Sequence, residues 1–361
     1  MKITELTTQR VDLPLPSPLR TSIHEIKSVS CLLVTLTSDE GITGEGYAFC
    51  FGREKLIAIE AMVTALKPHI IGADPFMTEA IWSGILKAMN FFGQGGALVL
   101  AMTPLDVACW DMVGKTLGQP LYRIFGGHRT SVPVYASGGL WLSSDLDGLQ
   151  REAKAFMAAG FKAMKVRLGN LPVAANVARV EAIRDVVGPD FALMADANQG
   201  LTTPDAIRLG RALEPHGLVW FEEPIPTWDY AGQAEIAAAL DTPLATGETE
   251  WIRYGIRNML EKRAADILMP DLQRMGGYTE FRKVIGQMAA ADVPFAPHIF
   301  TEHSLHLVAS AAGGIYAEHM PWFEGLFNEA MPIEADGTIR VPDRPGVGFT
   351  FDRDRIEAHT F

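Results

Sequence analysis

Three carboxylates recur along this chain at an even step. Asp196 closes the run ALMAD, Glu222 lies in WFEEP and Glu248 closes PLATGE, each 26 residues after the one before. One strand plus one helix is about that long, so the three acids fall at equivalent places on successive repeats. Three carboxylates meeting at one point supply the oxygen ligands of a hard divalent cation such as Mg2+, with positions left for water or substrate. Without a cation they would repel and raise one another's pKa. The series continues with Asp271 at the end of ILMPD and His298 at the end of PFAPH. A carboxylate beside a histidine on the next strand makes a general-base pair: the acid orients the ring and holds its tautomer, and the ring takes the proton. Earlier, KVR sets Lys165 and Arg167 two residues apart on one face of a strand, so both cations point into the same interior. Something anionic must sit there. Glu318 in YAEHM closes the series, and is preferred to Glu324 because Pro321-Trp322 ends that strand.

The elements that position these residues are short apolar runs. VPVYAS, AMKVRLG, ALMADAN, VWFEEP, PLATGE, DILMPD, VPFAPH and YAEHM are each followed by a helical stretch or a turn. Eight such units predict an α/β fold of the β/α-barrel type, whose strand ends share one mouth. A doubly wound open sheet is the alternative, but no GxGxxG follows the first strand. On the strand pleat Glu223 faces away from Glu222, and Asn198 shares a face with Asp196. Asn198 then contacts a ligand or makes a structural hydrogen bond. Upstream, KITELTTQRVDLPL reads as a strand and SVSCLLVTLTSDEGITGEGYAF as a hairpin around Asp39-Glu40-Gly41. Two helical stretches and one longer helix over about residues 95–118 follow, with Pro104 near the start of the last or kinking it. The pattern changes near Gly127. The tail from Gly337 is β-like and loop-rich, and is expected to return to the N-terminal part.

TPLDVACWDMVGKTLGQPLYRIFGG, KVR, DANQG, FEEP, GE, MPDLQRMGG, PH and PDRPGVGF occur in this order over nearly the whole chain. In these motifs the chain resembles the mandelate racemase subgroup of the enolase superfamily. The resemblance implies an α+β capping domain over residues 1–127, a modified (β/α)7β TIM barrel over 128–330 and a C-terminal segment, 331–361, that completes the cap. It implies one Mg2+ held by Asp196, Glu222 and Glu248, His298 with Asp271 as acid/base, Lys165 as the cation facing a substrate carboxylate, and Glu318 as an acid that hydrogen-bonds that carboxylate. In this family the loop equivalent to residues 14–26 covers the barrel mouth, which makes Arg20 and His24 candidate substrate contacts. Asp106, Trp110 and Asp111 are read as packing and capping residues, and His303 and His306 as structural.

The chemistry such a site supports is removal of a proton α to a carboxylate. Mg2+ and Lys165 offset the second negative charge that forms, and a protonated Glu318 would donate a short hydrogen bond. His298 is expected near neutral pKa. The racemase pattern has Lys-x-Lys, and its second Lys is a base on the face opposite the histidine. This chain has Arg167 there, and a guanidinium does not give up its proton. One base favours dehydration of a sugar acid to a 2-keto-3-deoxy acid. A cycloisomerase of a sugar-acid lactone or anhydro-sugar acid comes second, a racemase or epimerase third, and a Mg2+-dependent sugar-acid-binding protein is the non-enzymatic reading.

The whole-chain numbers are compatible with this. With 361 residues and a net charge of −12, the chain is unsuited to nucleic acid or an anionic membrane as partner. Cys31, Cys50 and Cys109 form no CxxC pair and read as reduced thiols. The N-terminus lacks the apolar core of a signal peptide, and runs such as CLLVTL are too short to span a bilayer. The expectation is a cytoplasmic enzyme for a small hydroxycarboxylate, and the resemblance adds a homo-oligomer, dimer or octamer.

Overall fold

The structure, a computed structural model, describes residues 1–20 and 25–361. The N-terminal part opens with an antiparallel sheet of β1 (Ile3–Arg20), β2 (Glu25–Ser38) and β3 (Thr43–Cys50). α1 (Arg53–Ile70), α2 (Thr78–Ala88) and α3 (Ala97–Leu117) follow, then a short α4 (Leu121–Ile124). Leu32, Val34 and Leu36 alternate inward along β2 and pack on Leu56, Ile59 and Val63, spaced three and four apart on α1. α3 lies in the middle of this layer. It is long and apolar enough to cross a membrane, so the expectation from shorter runs missed it, but its residues are almost all buried inside the protein. Pro104 is eighth in α3 rather than at its start. β3 runs directly over this helix: a Cβ on Gly46 would lie 2.4 Å from the Pro104 carbonyl oxygen, and one on Gly44 would meet that of Ala108. Only glycine allows strand and helix backbones to approach so closely.

The second part alternates β4 (Ser131–Ala136), α5 (Leu146–Ala158), β5 (Ala163–Arg167), α6 (Val173–Val187), β6 (Ala192–Asp196) and α7 (Thr203–Leu213). It continues through β7 (Phe221–Glu222), α8 (Tyr230–Ala239), β8 (Leu244–Thr246), α9 (Ile252–Lys262), β9 (Ile267–Leu268), α10 (Tyr278–Ala290), α11 (Thr301–Ala309) and β10 (Ala317–His319). The parallel order is β10-β4-β5-β6-β7-β8-β9. Between β9 and β10 the expected strand VPFAPH is a set of single bridges, Leu268 to Phe295, Phe295 to Gly314 and Asp271 to His298. Pro294 and Pro297 have no N–H to give, so the ladder cannot run unbroken, yet the eighth position is filled and the barrel closes.

The tail divides. β11 (Thr338–Arg340) pairs antiparallel with β4, so this piece belongs to the barrel. Beyond it Val347 N–H donates to Asp111, Phe351 N–H donates to Glu45 and Thr360 bridges Val11, which ties the end of the chain to the N-terminal layer. The loop reading missed α12 (Arg353–His359), a helix capped by the Asp352 side chain.

Candidate active site

The barrel interior is plugged by Tyr135, Ala163, Met194, Trp220, Met269 and Ala296. Two residues past each plug position, on the same face of its strand, lies a polar side chain: Ser137, Lys165, Asp196, Glu222, Asp271 and His298. The pleat thus lifts these six out of the apolar plug to the C-terminal mouth. Glu318 stands two residues past Tyr316, which packs against the same plug.

Lys165 is buried at the centre. Its Nζ lies 2.5 Å from Glu222, 3.0 Å from Glu318 and 3.4 Å from Asp196. Burial pulls its pKa down, but the three carboxylates outweigh that and leave it above its usual value, so it stays an ammonium. Arg167 donates to Asp196 at 2.8 Å and to Ser137 Oγ at 3.0 Å, and lies over the Trp141 ring. Its pKa is also raised, since burial is outweighed by Asp196, Glu318 and Glu222. The Ser137 hydroxyl donates to Glu318 at 2.5 Å. The other Glu318 oxygen accepts from the Ile299 N–H at 2.9 Å.

The expectation is a protonated Glu318, whereas in this structure both of its oxygens accept hydrogen bonds. Burial favours the neutral acid, yet Lys165, His298 and Arg167 overcome it and hold the carboxyl well below its usual range. Glu318 accepts hydrogen bonds here and donates none. Glu324, the rival, sits in a surface turn beside His319.

His298 Nδ1 lies 2.7 Å from Asp271, and Nε2 lies 3.5 Å from Glu248. The contact to Asp271 places the proton on Nδ1 and leaves Nε2 as the basic nitrogen. Burial lowers the ring pKa, but Glu248, Asp271 and Glu318 raise it to about 10, above the near-neutral value expected for a free base. Glu222 and Glu248 are both pushed up, first by burial and then by neighbouring carboxylates, Asp196 among them.

Among the described residues no three carboxylate, histidine or cysteine side chains are gathered closely enough to enclose an ion. Lys165 and Arg167 reach in among Asp196 and Glu222 instead. The donor set still fits a hard divalent cation: three carboxylates at or just past the ends of successive strands, with no sulfur or imidazole among them.

The cavity above these groups has a volume of about 130 Å³. Lys165, Arg167, Asp196, Glu248, Asp271 and His298 line it together with the aromatic rings of Trp141, Trp322, Phe49 and Phe51. Trp141 and Trp322 stack at 6.2 Å, an aromatic wall with no signal in the sequence because its two halves are 181 residues apart. Asn198 lines the cavity and gives both its backbone and side-chain N–H to Asp196, so the structural alternative holds at least in part. Glu223 does not turn away as a regular pleat would have it. The chain leaves β7 with φ 35° at this residue, and its carboxylate lines the cavity, held by Gln199 and Thr227. Arg20 ends β1 exposed and is not among the cavity-lining residues. His24 lies outside the described residues. Ser137, Gln273 and Arg274 were missed, and only Ser137 had a legible signal, its place two residues past Tyr135.

Residues 3–126 match the mandelate racemase/muconate lactonizing enzyme N-terminal domain, and residues 148–355 match the enolase C-terminal domain-like family. This chain belongs to the mandelate racemase/muconate lactonizing enzyme family. It is 34% identical over 343 residues to the L-talarate/galactarate dehydratase of Salmonella typhimurium, covering 92% of this chain and 86% of that enzyme. The crystal structure of that dehydratase superposes with a TM-score of 0.96 at 32% identity, over 100% of this chain and 92% of that one. The 3,6-anhydro-alpha-L-galactonate cycloisomerase of Streptomyces coelicolor is 33% identical, with 98% of each chain covered. L-Talarate dehydratase from Polaromonas sp. JS666, complexed with Mg and L-glucarate, superposes with a TM-score of 0.93 at 34% identity, over 99% of this chain and 97% of that one. In this mandelate racemase/muconate lactonizing enzyme family member, the motifs named from sequence therefore lie on the barrel strand ends and on the cap.

Proposed function

We propose that this protein dehydrates a sugar acid, an aldonate or aldarate, to a 2-keto-3-deoxy acid. The observation that carries the reading is the asymmetry of the site. His298, aligned by Asp271, is a side chain that can accept a proton, whereas Arg167 on β5 is held protonated by Asp196. A racemase needs an acceptor on each face of the α-carbon, and a one-base lyase does not.

Asp196, Glu222 and Glu248 would hold Mg2+, which supplies positive charge to the substrate carboxylate and to the carboxylates that otherwise raise His298. Lys165 is the permanent counter-cation to the enolate. His298 takes the α-proton at Nε2 while Asp271 holds Nδ1–H. The imidazolium then returns that proton to the β-hydroxyl, which leaves as water in a syn elimination. The enol so formed tautomerises to the 2-keto acid. Glu318, an acceptor here, orients Lys165 and pairs through Ser137 with Arg167.

The test is incubation with Mg2+ and a panel of aldonates and aldarates in D2O, following 2-keto product and exchange at the α-carbon. His298→Asn should cut turnover about 10²–10⁴-fold. Unchanged turnover in H298N, or no 2-keto product from any acid, sinks the reading. The end-to-end match to a cycloisomerase makes that the second reading: the same enolate would expel a ring oxygen, and the product would show opening of an anhydro ring or lactone without loss of water.

A further inference from the structure

We propose that Arg274 selects for a second carboxylate, so that the preferred ligand is a dicarboxylic sugar acid. The inference rests on the sugar-acid reading above and narrows it.

Four cationic or basic side chains line the cavity: Lys165, Arg167, His298 and Arg274. Three of them are already committed. Lys165 pairs with Glu222, Glu318 and Asp196, Arg167 pairs with Asp196, and His298 faces Asp271 and Glu248. Arg274 forms no ion pair with any carboxylate among the described residues; its guanidinium stacks on the Trp251 ring, 5.1 Å from the centroid. Glu250 feels its charge but accepts from the Tyr230 hydroxyl and the Trp251 backbone instead. Arg274 thus brings to this cavity, which Asp196, Glu223, Glu248 and Asp271 also line, a positive charge with no ion-pair partner among the described residues, as an additional anionic group on a ligand requires.

Its placement is fixed and suits that role. The Arg274 N–H donates to Asp271 at 2.9 Å, and its carbonyl accepts from Ile252 at 3.1 Å. With the backbone held at both ends and the side chain laid on Trp251, little freedom is lost when an anion binds. Arg274 follows β9, whereas Lys165 lies on β5. β6, β7 and β8 separate them, so in a barrel of eight positions the two residues stem from opposite sides of the mouth. A carboxylate at each end of one short chain meets both cations; a monocarboxylic acid leaves Arg274 without a partner.

The experiment uses matched aldarate and aldonate pairs of the galacto, gluco and arabino series with Mg2+. Binding is measured by calorimetry on the inactive His298→Asn protein, and turnover on the wild type. Among the pairs that bind, the diacid should bind tighter by about 10- to 100-fold, the range of a charge-assisted pair. Arg274→Met should remove that advantage through KM with kcat nearly kept, leave the monoacids within about twofold, and Arg274→Lys should restore part of it. Equal affinity for the two acids of each pair, or equal loss on both acids in R274M, overturns the proposal. Should R274M not fold, the wild-type ratio and the Lys variant decide. Diacid-selective binding with no α-proton exchange would sink the dehydratase reading and leave the role of Arg274 standing.

Discussion

At the scale of single residues, the site is a contest between burial and pairing. Lys165, Asp196, Glu222 and Glu318 are almost fully buried, and each would be expensive alone. Together they hold one another charged, with the Lys165 ammonium on β5 at the centre of the cluster. Arg167 is the informative departure. Held by Asp196 and Ser137, it stays a cation at any ordinary pH, and that removes the second base. Replacing it with lysine restores a group that can lose a proton. Arg167→Lys is expected to add deuterium exchange at the α-carbon with inversion, seen by NMR as the C2 epimer of the substrate. The wild type should give none, and an epimer from the wild type would contradict the one-base scheme.

At the scale of elements, two features have measurable consequences. β3 passes over α3 at glycine distance, so Gly46→Ala drives a methyl into the Pro104 carbonyl. The strand or helix must shift, and a loss of about 1–3 kcal/mol is expected in denaturant melts. A melt unchanged from wild type would mean that the contact is looser than the geometry says. α11 buries His303 and His306 as neutral rings. His306 accepts from the Tyr122 N–H and meets the Val347 carbonyl, and burial lowers its pKa to about 4. The unfolded chain binds this proton below about pH 6.5 and the folded chain only near 4. The contribution to stability is therefore complete above 6.5 and is lost as pH falls from 6.5 towards 4. His306→Asn, which cannot titrate, should flatten the acid limb of stability against pH by about one proton; an unaltered slope would show that His306 is not held neutral.

At the scale of the molecule, the N-terminal layer positions part of the catalytic mouth. Thr103, Asp106 and Trp110 on one face of α3 hold Gln273 in the loop that follows Asp271 and Thr279 in the first turn of α10. Gln273 in turn pairs with both backbone groups of Phe49 on β3. Movement of the cap would therefore displace the loop that carries Asp271 and Arg274. The barrel end carries more carboxylates than cations, so the folded chain should bind a divalent cation that the unfolded chain does not. Adding Mg2+ at 100 times its Kd is expected to stabilise the protein by about 2.7 kcal/mol, reversed by EDTA. Asp196→Asn, Glu222→Gln and Glu248→Gln should each lose most of that shift; a full shift in all three would remove them as ligands.

The even step of Asp196, Glu222 and Glu248, the strand alternation and the arginine at position 167 were all readable without coordinates. Spacing along a repeat and side-chain period along a strand are local properties, and local properties survive in one dimension. The His298–Asp271 contact was readable too, because neighbouring strands follow one another in the chain. Other features depended on long-range packing. Which protons the buried groups keep depends on the sum of charges around them: the neighbouring cations pull Glu318 down and the neighbouring carboxylates push His298 up. The turn of Glu223 into the cavity comes from a φ of 35° that no pattern announces. The Trp141–Trp322 wall and the placement of Arg274 across from Lys165 join residues far apart in the chain, and only closure of the barrel brings them to one cavity.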